Sequence, residues 1–208
     1  MTRLLGLTAI LPAAATCYFF VFWRWFDFWR RHRASTYCMI FGTFAALAAG
    51  AWWFGDFVFG YSLLLPVAAR WVGFLLITVA TAFGLVADRQ IGFRVRSFTP
   101  FFEADGKLRL ETRGAYGVVR HPIYAAGLGY QIGVFLVTGY ASVLVATLTF
   151  GLGAIWFTRQ EEQRLVRLLA DPNEYERYRQ RVPGLIPWKR KREPQAERGP
   201  DAGERRKP

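Results

Sequence analysis

The chain alternates between long apolar blocks and short polar, mostly basic segments. Five blocks stand out: Leu4–Trp23, Cys38–Gly55, Trp71–Ala87, Pro122–Thr138 and Tyr140–Phe157. Each has roughly 17 to 20 residues, the length that carries a helix across a bilayer core. Their apolar residues are contiguous, not scattered at amphipathic spacing, so each block predicts a membrane helix. Only Thr138-Gly139 separates the last two, which predicts a tight antiparallel hairpin.

The polar stretches carry a second pattern. Phe93 and Val95 alternate with Arg94 and Arg96, and Leu108 and Leu110 alternate with Arg109 and Glu111. The turn signal Asp105-Gly106 lies between the two pairs, so short extended pieces or a hairpin are expected on the cytosolic face. After the fifth block, Glu161–Ala170 continues as a helix. Asp171-Pro172-Asn173-Glu174 reads as a new start, with the aspartate as cap, proline in the first turn and Glu174 completing a capping box. Tyr175, Tyr178 and Val182 share one face of that helix, and Pro183-Gly184 ends it. The charged, Pro- and Gly-rich residues 189–208 have almost nothing to bury and are expected to be disordered.

The predicted fold class is therefore an all-α integral membrane protein with about five transmembrane helices, a short cytosolic extended segment and cytosolic C-terminal helices. It divides into three N-terminal helices (1–88), a core (89–188) and a basic tail (189–208). An apolar content of 53% and an aromatic content of 17% support a membrane protein. The first block lacks a clear small-residue cleavage site, and Arg24 and Trp25 follow it at once, so a retained helix is expected and not a signal peptide.

Charge sets the orientation. Arg24, Arg30, Arg31 and Arg33 against Asp27 make the first loop basic, whereas Asp56 and Arg70 balance in the second. The segment before Pro122 and the tail are again basic. This alternation puts the N-terminus outside and the C-terminus in the cytosol. With compact loops and no retention signal, the expected site is a bacterial plasma membrane. The net charge of +12 is then explained by loops facing anionic lipid headgroups, and no nucleic-acid partner is expected. Cys17 and Cys38 lack metal-ligand spacing and read as reduced packing residues. Arg24, Asp27 and Arg30, among Trp23, Trp25 and Trp29, read as an interfacial belt.

The residues able to do chemistry gather at one predicted membrane face. His121 precedes Pro122, which suits a first helical position, and Tyr124 follows one turn in, with Tyr116 just upstream. Glu161 and Glu162 lie four and three residues before Leu165, so both extend the inward stripe marked by Leu165, Leu168 and Leu169. The plainer alternative is a surface pair bridged to Arg159 or Arg164. Gly127 and Gly129 permit close approach of a ligand or, more commonly in membranes, of another helix. The chain has no Walker loop, no complete dinucleotide fingerprint and no metal-ligand cluster, and its only other histidine is His32. A charged organic cofactor held by polar side chains fits this set.

The stretch Gly114–Tyr124 (Gly-Ala-Tyr-Gly-Val-Val-Arg-His-Pro-Ile-Tyr), the following hairpin, Glu161-Glu162, Glu174–Tyr178 and Arg181–Pro187 together resemble the isoprenylcysteine carboxyl methyltransferase family of membrane enzymes. Gly127 and Gly129 are also similar to the related phospholipid methyltransferases. The resemblance covers roughly residues 90–188, and its specificity lies in the order and spacing of the pieces. It implies methyl transfer from S-adenosylmethionine to a lipophilic acceptor such as a prenyl-cysteine carboxylate, a lipid amine or a thiol. It implies a cofactor site of Tyr116, His121, Pro122, Tyr124, Gly127, Gly129, Glu161 and Glu162, with His121 and Arg159 as the catalytic candidates, Arg159 for a substrate anion. Two departures touch the substrate side: Ala126 stands where the family often has glycine, and Asp171-Pro172-Asn173 expands the chain before Glu174. A nicotinamide-dependent reductase of the sterol reductase type and a non-catalytic membrane protein are the alternative readings.

Overall fold

The computed structural model describes residues 2–96, 110–169 and 171–188. Nine helices follow one another among them: α1 (Thr2–Arg24), α2 (Phe26–Arg31), α3 (Arg33–Trp53), α4 (Gly55–Val58), α5 (Val67–Arg96), α6 (Ala115–Val118), α7 (Pro122–Thr138), α8 (Ala141–Leu168) and α9 (Pro172–Arg181). No strand occurs among the described residues, where β pairing is limited to an isolated antiparallel bridge between Ser62 and Tyr140.

Each apolar block falls largely within one helix, although Cys38–Gly55 runs past the end of α3 at Trp53 and Tyr140 precedes α8. Ala34–Trp53, Val67–Ile91 and Ala141–Arg167 are long and apolar enough to cross a membrane, and Thr2–Ala14 and Pro122–Thr138 are shorter apolar stretches. The chain is thus an all-helical, multi-pass type of protein. The expected hairpin forms between α7 and α8: Gly139 closes α7 in the left-handed conformation at φ 69°. The loop before α5 braces this turn, with Leu63 donating to the Gly139 carbonyl at 2.8 Å and Ala141 to the Tyr61 carbonyl at 3.0 Å.

One sequence expectation is overturned. Residues 93–96 belong to the end of α5 and are not extended. Alternating Phe and Val with arginine satisfies a period-2 pattern, but adding residues to an existing helix needs no new nucleus, and arginine is a good helix former. The expected turn at Asp105-Gly106 and the alternation at Leu108 and Arg109 lie outside the described residues, as does the tail from 189.

The packing places the site. α5 and α7 meet most closely at Gly73 and Gly133. A Cβ on Gly133 would stand 2.8 Å from the Gly73 carbonyl oxygen, and one on Gly73 would stand 2.7 Å from that of Gly133. Side chains are therefore excluded there, and the two backbones lie in contact, as small residues allow in membranes. α1 packs against α7 and α8 through Ala9, Val134 and Val143, and through Ala13, Ala146, Phe150 and Ala154. Ala9 clusters with Val143, and Gly153 faces Thr16, so α1 and α8 run parallel. The basic end of α1 at Arg24 therefore shares a face with the end of α8 that carries Glu161 and Glu162. α3 is the loosest helix: Phe41, Trp52 and Trp53 are exposed.

Candidate active site

Three short structures deliver the polar groups to one place. Gly114 starts the first, at φ 54°, a region that favours glycine. The Gln90 amide of α5 lies where a Cβ on Gly114 would be. Its Oε1 accepts from the Ala115 N–H at 3.0 Å and its Nε2 donates to the Arg113 carbonyl at 3.4 Å. This tie sets α6 and Tyr116 beside the end of α5. Val119 then extends the chain, and His121 takes the N-cap position of α7 with Pro122 next, as the Arg-His-Pro order predicts.

α8 supplies the second piece. It runs without a break from the membrane segment through Glu161 and Glu162 to Leu168. α9 supplies the third. Asp171 caps it by accepting from the Asn173 N–H at 2.9 Å, and Tyr175, Tyr178 and Val182 are buried against Leu169, Leu165 and Leu110. These are the cap and the face expected from the sequence.

The imidazole and the acidic doublet come together. His121 is 6% exposed, and its ring lies between two carboxylates: Nε2 is 3.0 Å from Glu162 Oε1, and Nδ1 is 3.6 Å from Glu161 Oε2. The Glu162 oxygen also accepts from Arg120 Nε at 3.0 Å and Nη2 at 2.7 Å. Glu162 is thus bridged inward to Arg120 and His121. Glu161 differs. Its Oε2 is buried without a hydrogen-bond partner among the described residues, and 3.6 Å to His121 is beyond hydrogen-bonding reach. Buried carboxylate oxygens are rarely left in that state.

Charge and burial set the protonation states. Burial is the largest single influence on His121 and opposes its charge, but the close approach of both carboxylates, the hydrogen bond to Glu162 and the charges of Glu161 and Glu162, outweighs it and raises the pKa above the ordinary histidine value. Burial, then the Glu161 charge, pushes the Tyr116 phenol up, so it remains neutral. Burial likewise pushes Tyr178 up to about 12, and its hydroxyl donates to the Tyr116 carbonyl at 2.6 Å.

Tyr124 lies one turn into α7, its ring centroid 6.2 Å from that of His121 and 6.3 Å from that of Phe157. Pro122 is buried, and Arg159 is exposed on α8, three residues before Glu162. Gly127 and Gly129 are not placed in the cluster. A Cβ on Gly127 would meet the Phe150 ring at 3.0 Å, and one on Gly129 would meet Ala80 at 3.3 Å, so both serve helix contact. Arg120 and Gln90 organise the cluster but were not among the site residues expected from the sequence, and Tyr178 was expected there only as part of the apolar face of α9. Arg120 had a signal, being part of the Arg-His-Pro run; the Gln90 contact, across 25 residues, had none.

Glu161, Glu162, His121 and the Tyr124 ring make up a cup, in which Arg120 and His121 oppose the two carboxylates. Its unpartnered Glu161 Oε2 can accept from a ligand's amino or hydroxyl group. The family model described as phospholipid methyltransferase matches residues 68–171, half of the 208-residue chain. The match spans α5, the His121 motif and all of α8. No curated protein and no solved structure matches the chain.

Proposed function

Because this chain belongs to the phospholipid methyltransferase family, an S-adenosylmethionine-dependent group acting on lipid-type acceptors, we propose that it methylates the amine headgroup of a membrane lipid at the cytosolic face. The buried, unpartnered Oε2 of Glu161 carries this reading. It is an acceptor already desolvated and aimed at the imidazole. A ligand amino or hydroxyl group supplies the donor it lacks.

The cofactor site in this reading comprises Tyr116, His121, Pro122, Tyr124, Glu161 and Glu162. The cofactor supplies an electrophilic methyl group on a sulfonium cation. The Tyr116 and Tyr124 rings favour that cation by contact with their faces, worth about 0.5–2 kcal/mol. Glu161 and Glu162 favour it by charge. Held between them, with its pKa raised by their charge, His121 is favoured as a donor over a base. The open Glu161 oxygen is then the proton acceptor that the site offers an ammonium headgroup. Orientation of the two reactants on one axis supplies much of the acceleration.

The charge balance selects among acceptors. Arg120, the cation of the cluster, is committed to Glu162. A carboxylate acceptor would face two carboxylates, while the neighbouring Arg120 and His121 are already engaged with Glu162. An amine meets complementary charge. Arg159, exposed at the rim on α8, is placed to hold the headgroup phosphate. The basic α1–α3 connection at the same face supports a cytosolic orientation, and residues 89–188 with the end of α5 form the chemical core.

Membranes containing the protein, given S-adenosylmethionine labelled in its methyl group, are expected to label aminophospholipid and to do so less in Glu161→Gln. Label appearing only in prenyl-cysteine analogues or small thiols refutes the acceptor. Label appearing in none refutes the reading altogether.

A further inference from the structure

The arginine beside the catalytic histidine has an unexpected set of partners. Arg120 is not open to a ligand: its side chain is 8% exposed. Nε and Nη2 donate to Glu162, while Nη1 donates to the carbonyls of Val182 at 2.5 Å and Arg179 at 3.2 Å. Those carbonyls end α9. The backbone adds to the tie: Arg120 N–H donates to the Pro183 carbonyl at 2.8 Å and His121 N–H to the Gly184 carbonyl at 3.1 Å. The next residue, Leu185, packs with Tyr124 and Leu128 against the Ala146, Phe150 and Ala154 cluster.

We propose that Arg120 is a positioning residue, whose guanidinium clamps the strap Val182–Leu185 onto the start of α7 and aims Glu162, so that the strap forms one wall of the cup. The inference rests on the cofactor site proposed above. Its physical basis is the fork of the guanidinium. Only a planar group with several fixed N–H directions reaches a carboxylate on one side and two backbone carbonyls on the other. A lysine at 120 keeps the charge but offers a compact head that cannot straddle both. The clamp places two donors on one oxygen of Glu162, to which His121 adds a third. Breaking the clamp frees the strap from His121 and lets the Glu162 carboxylate turn.

Two measurements on the full chain in detergent test this. In a background with Cys17→Ala and Cys38→Ala, Leu185→Cys reports the seating of the strap by its rate of maleimide labelling, without any cofactor. Arg120→Lys is expected to speed labelling at least about tenfold. It is also expected to weaken S-adenosylhomocysteine binding, measured by calorimetry, at least about tenfold, with less than about a threefold fall in kcat at saturating S-adenosylmethionine. Leu185→Asp releases the strap with Arg120 and Glu162 intact, and is expected to weaken binding similarly. Unchanged labelling in Arg120→Lys, or unchanged affinity in Leu185→Asp, overturns the proposal. Absence of S-adenosylhomocysteine binding to the unmutated chain overturns the site assignment instead, and the labelling rates still decide the clamp.

Discussion

Glu161 and Glu162 are adjacent and of one chemical type, yet neutralising each predicts opposite consequences. Glu162 Oε1 receives three N–H groups from Arg120 and His121. A hydrogen bond to a charged group contributes about 1.5–3 kcal/mol and a neutral one about 0.5–1.5, so Glu162→Gln forfeits about 1 kcal/mol per bond. It also leaves the buried Arg120 guanidinium without its carboxylate partner. The expected loss of stability is about 3 kcal/mol, within the range for breaking a buried ion pair. Glu161 has no such partners to lose, and its Oε2 is an orphan. Glu161→Gln is expected to leave thermal stability within about 0.5 kcal/mol, because no internal hydrogen bond is removed. Its cost falls on the ligand: losing one charged hydrogen bond weakens binding by about 1.5–3 kcal/mol, or roughly 10- to 100-fold in Kd. Thermal unfolding in detergent and calorimetry with S-adenosylhomocysteine separate the two effects. The reasoning is refuted if Glu161→Gln unfolds as early as Glu162→Gln, or if it binds the ligand as tightly as the unmutated chain.

The raised pKa of His121 makes stability depend on pH. The stabilisation from its charged form is fully present below the unfolded histidine value of about 6.5 and is lost as pH rises through the higher folded value. The melting temperature is expected to fall as pH rises above about 6.5, and His121→Gln to flatten that part of the profile; a profile with the same slope in both proteins contradicts this. Separately, Gly133→Val drives a branched side chain into the Gly73 carbonyl across the α5–α7 contact. Backbone cannot yield as a side chain does, so the loss is expected to reach about 3 kcal/mol, the upper part of the overpacking range. Melting within about 1 kcal/mol of the unmutated chain would show that the two helices separate easily.

The sequence was a good guide wherever a feature depends on local order along the chain. The cap at Asp171, the proline opening of α7, the left-handed end at Gly139 and the buried Tyr175–Tyr178 face each follow from a few neighbouring residues. The inward direction of Glu162 also followed from its spacing to Leu165. Contacts across the chain were less legible. Gly73 and Gly133 meet over 60 residues of separation, and nothing in either neighbourhood marks the other. The same holds for Gln90 under Gly114. The pattern of Gly127 and Gly129 fits both a ligand and a helix contact, and the helix contact, the commoner role in membranes, is seen only once Phe150 and Ala80 are in place.

The extended segment expected at Phe93–Arg96 failed for a related reason. Alternation reports which residues would share a face of a strand, but it does not report whether a helix is already under way. α5 enters this stretch with its hydrogen-bond ladder formed, and each further residue adds a bond at little entropic cost. The length of α5 matters for the site, because Gln90 lies on the turns beyond the apolar block. Had the helix stopped at Ala87, no α5 side chain would reach Gly114, and α6 would lose its anchor. The segment that carries Tyr116 is therefore held by the last turns of α5, past the Trp71–Ala87 run, within the Val67–Ile91 stretch that is long and apolar enough to cross a membrane.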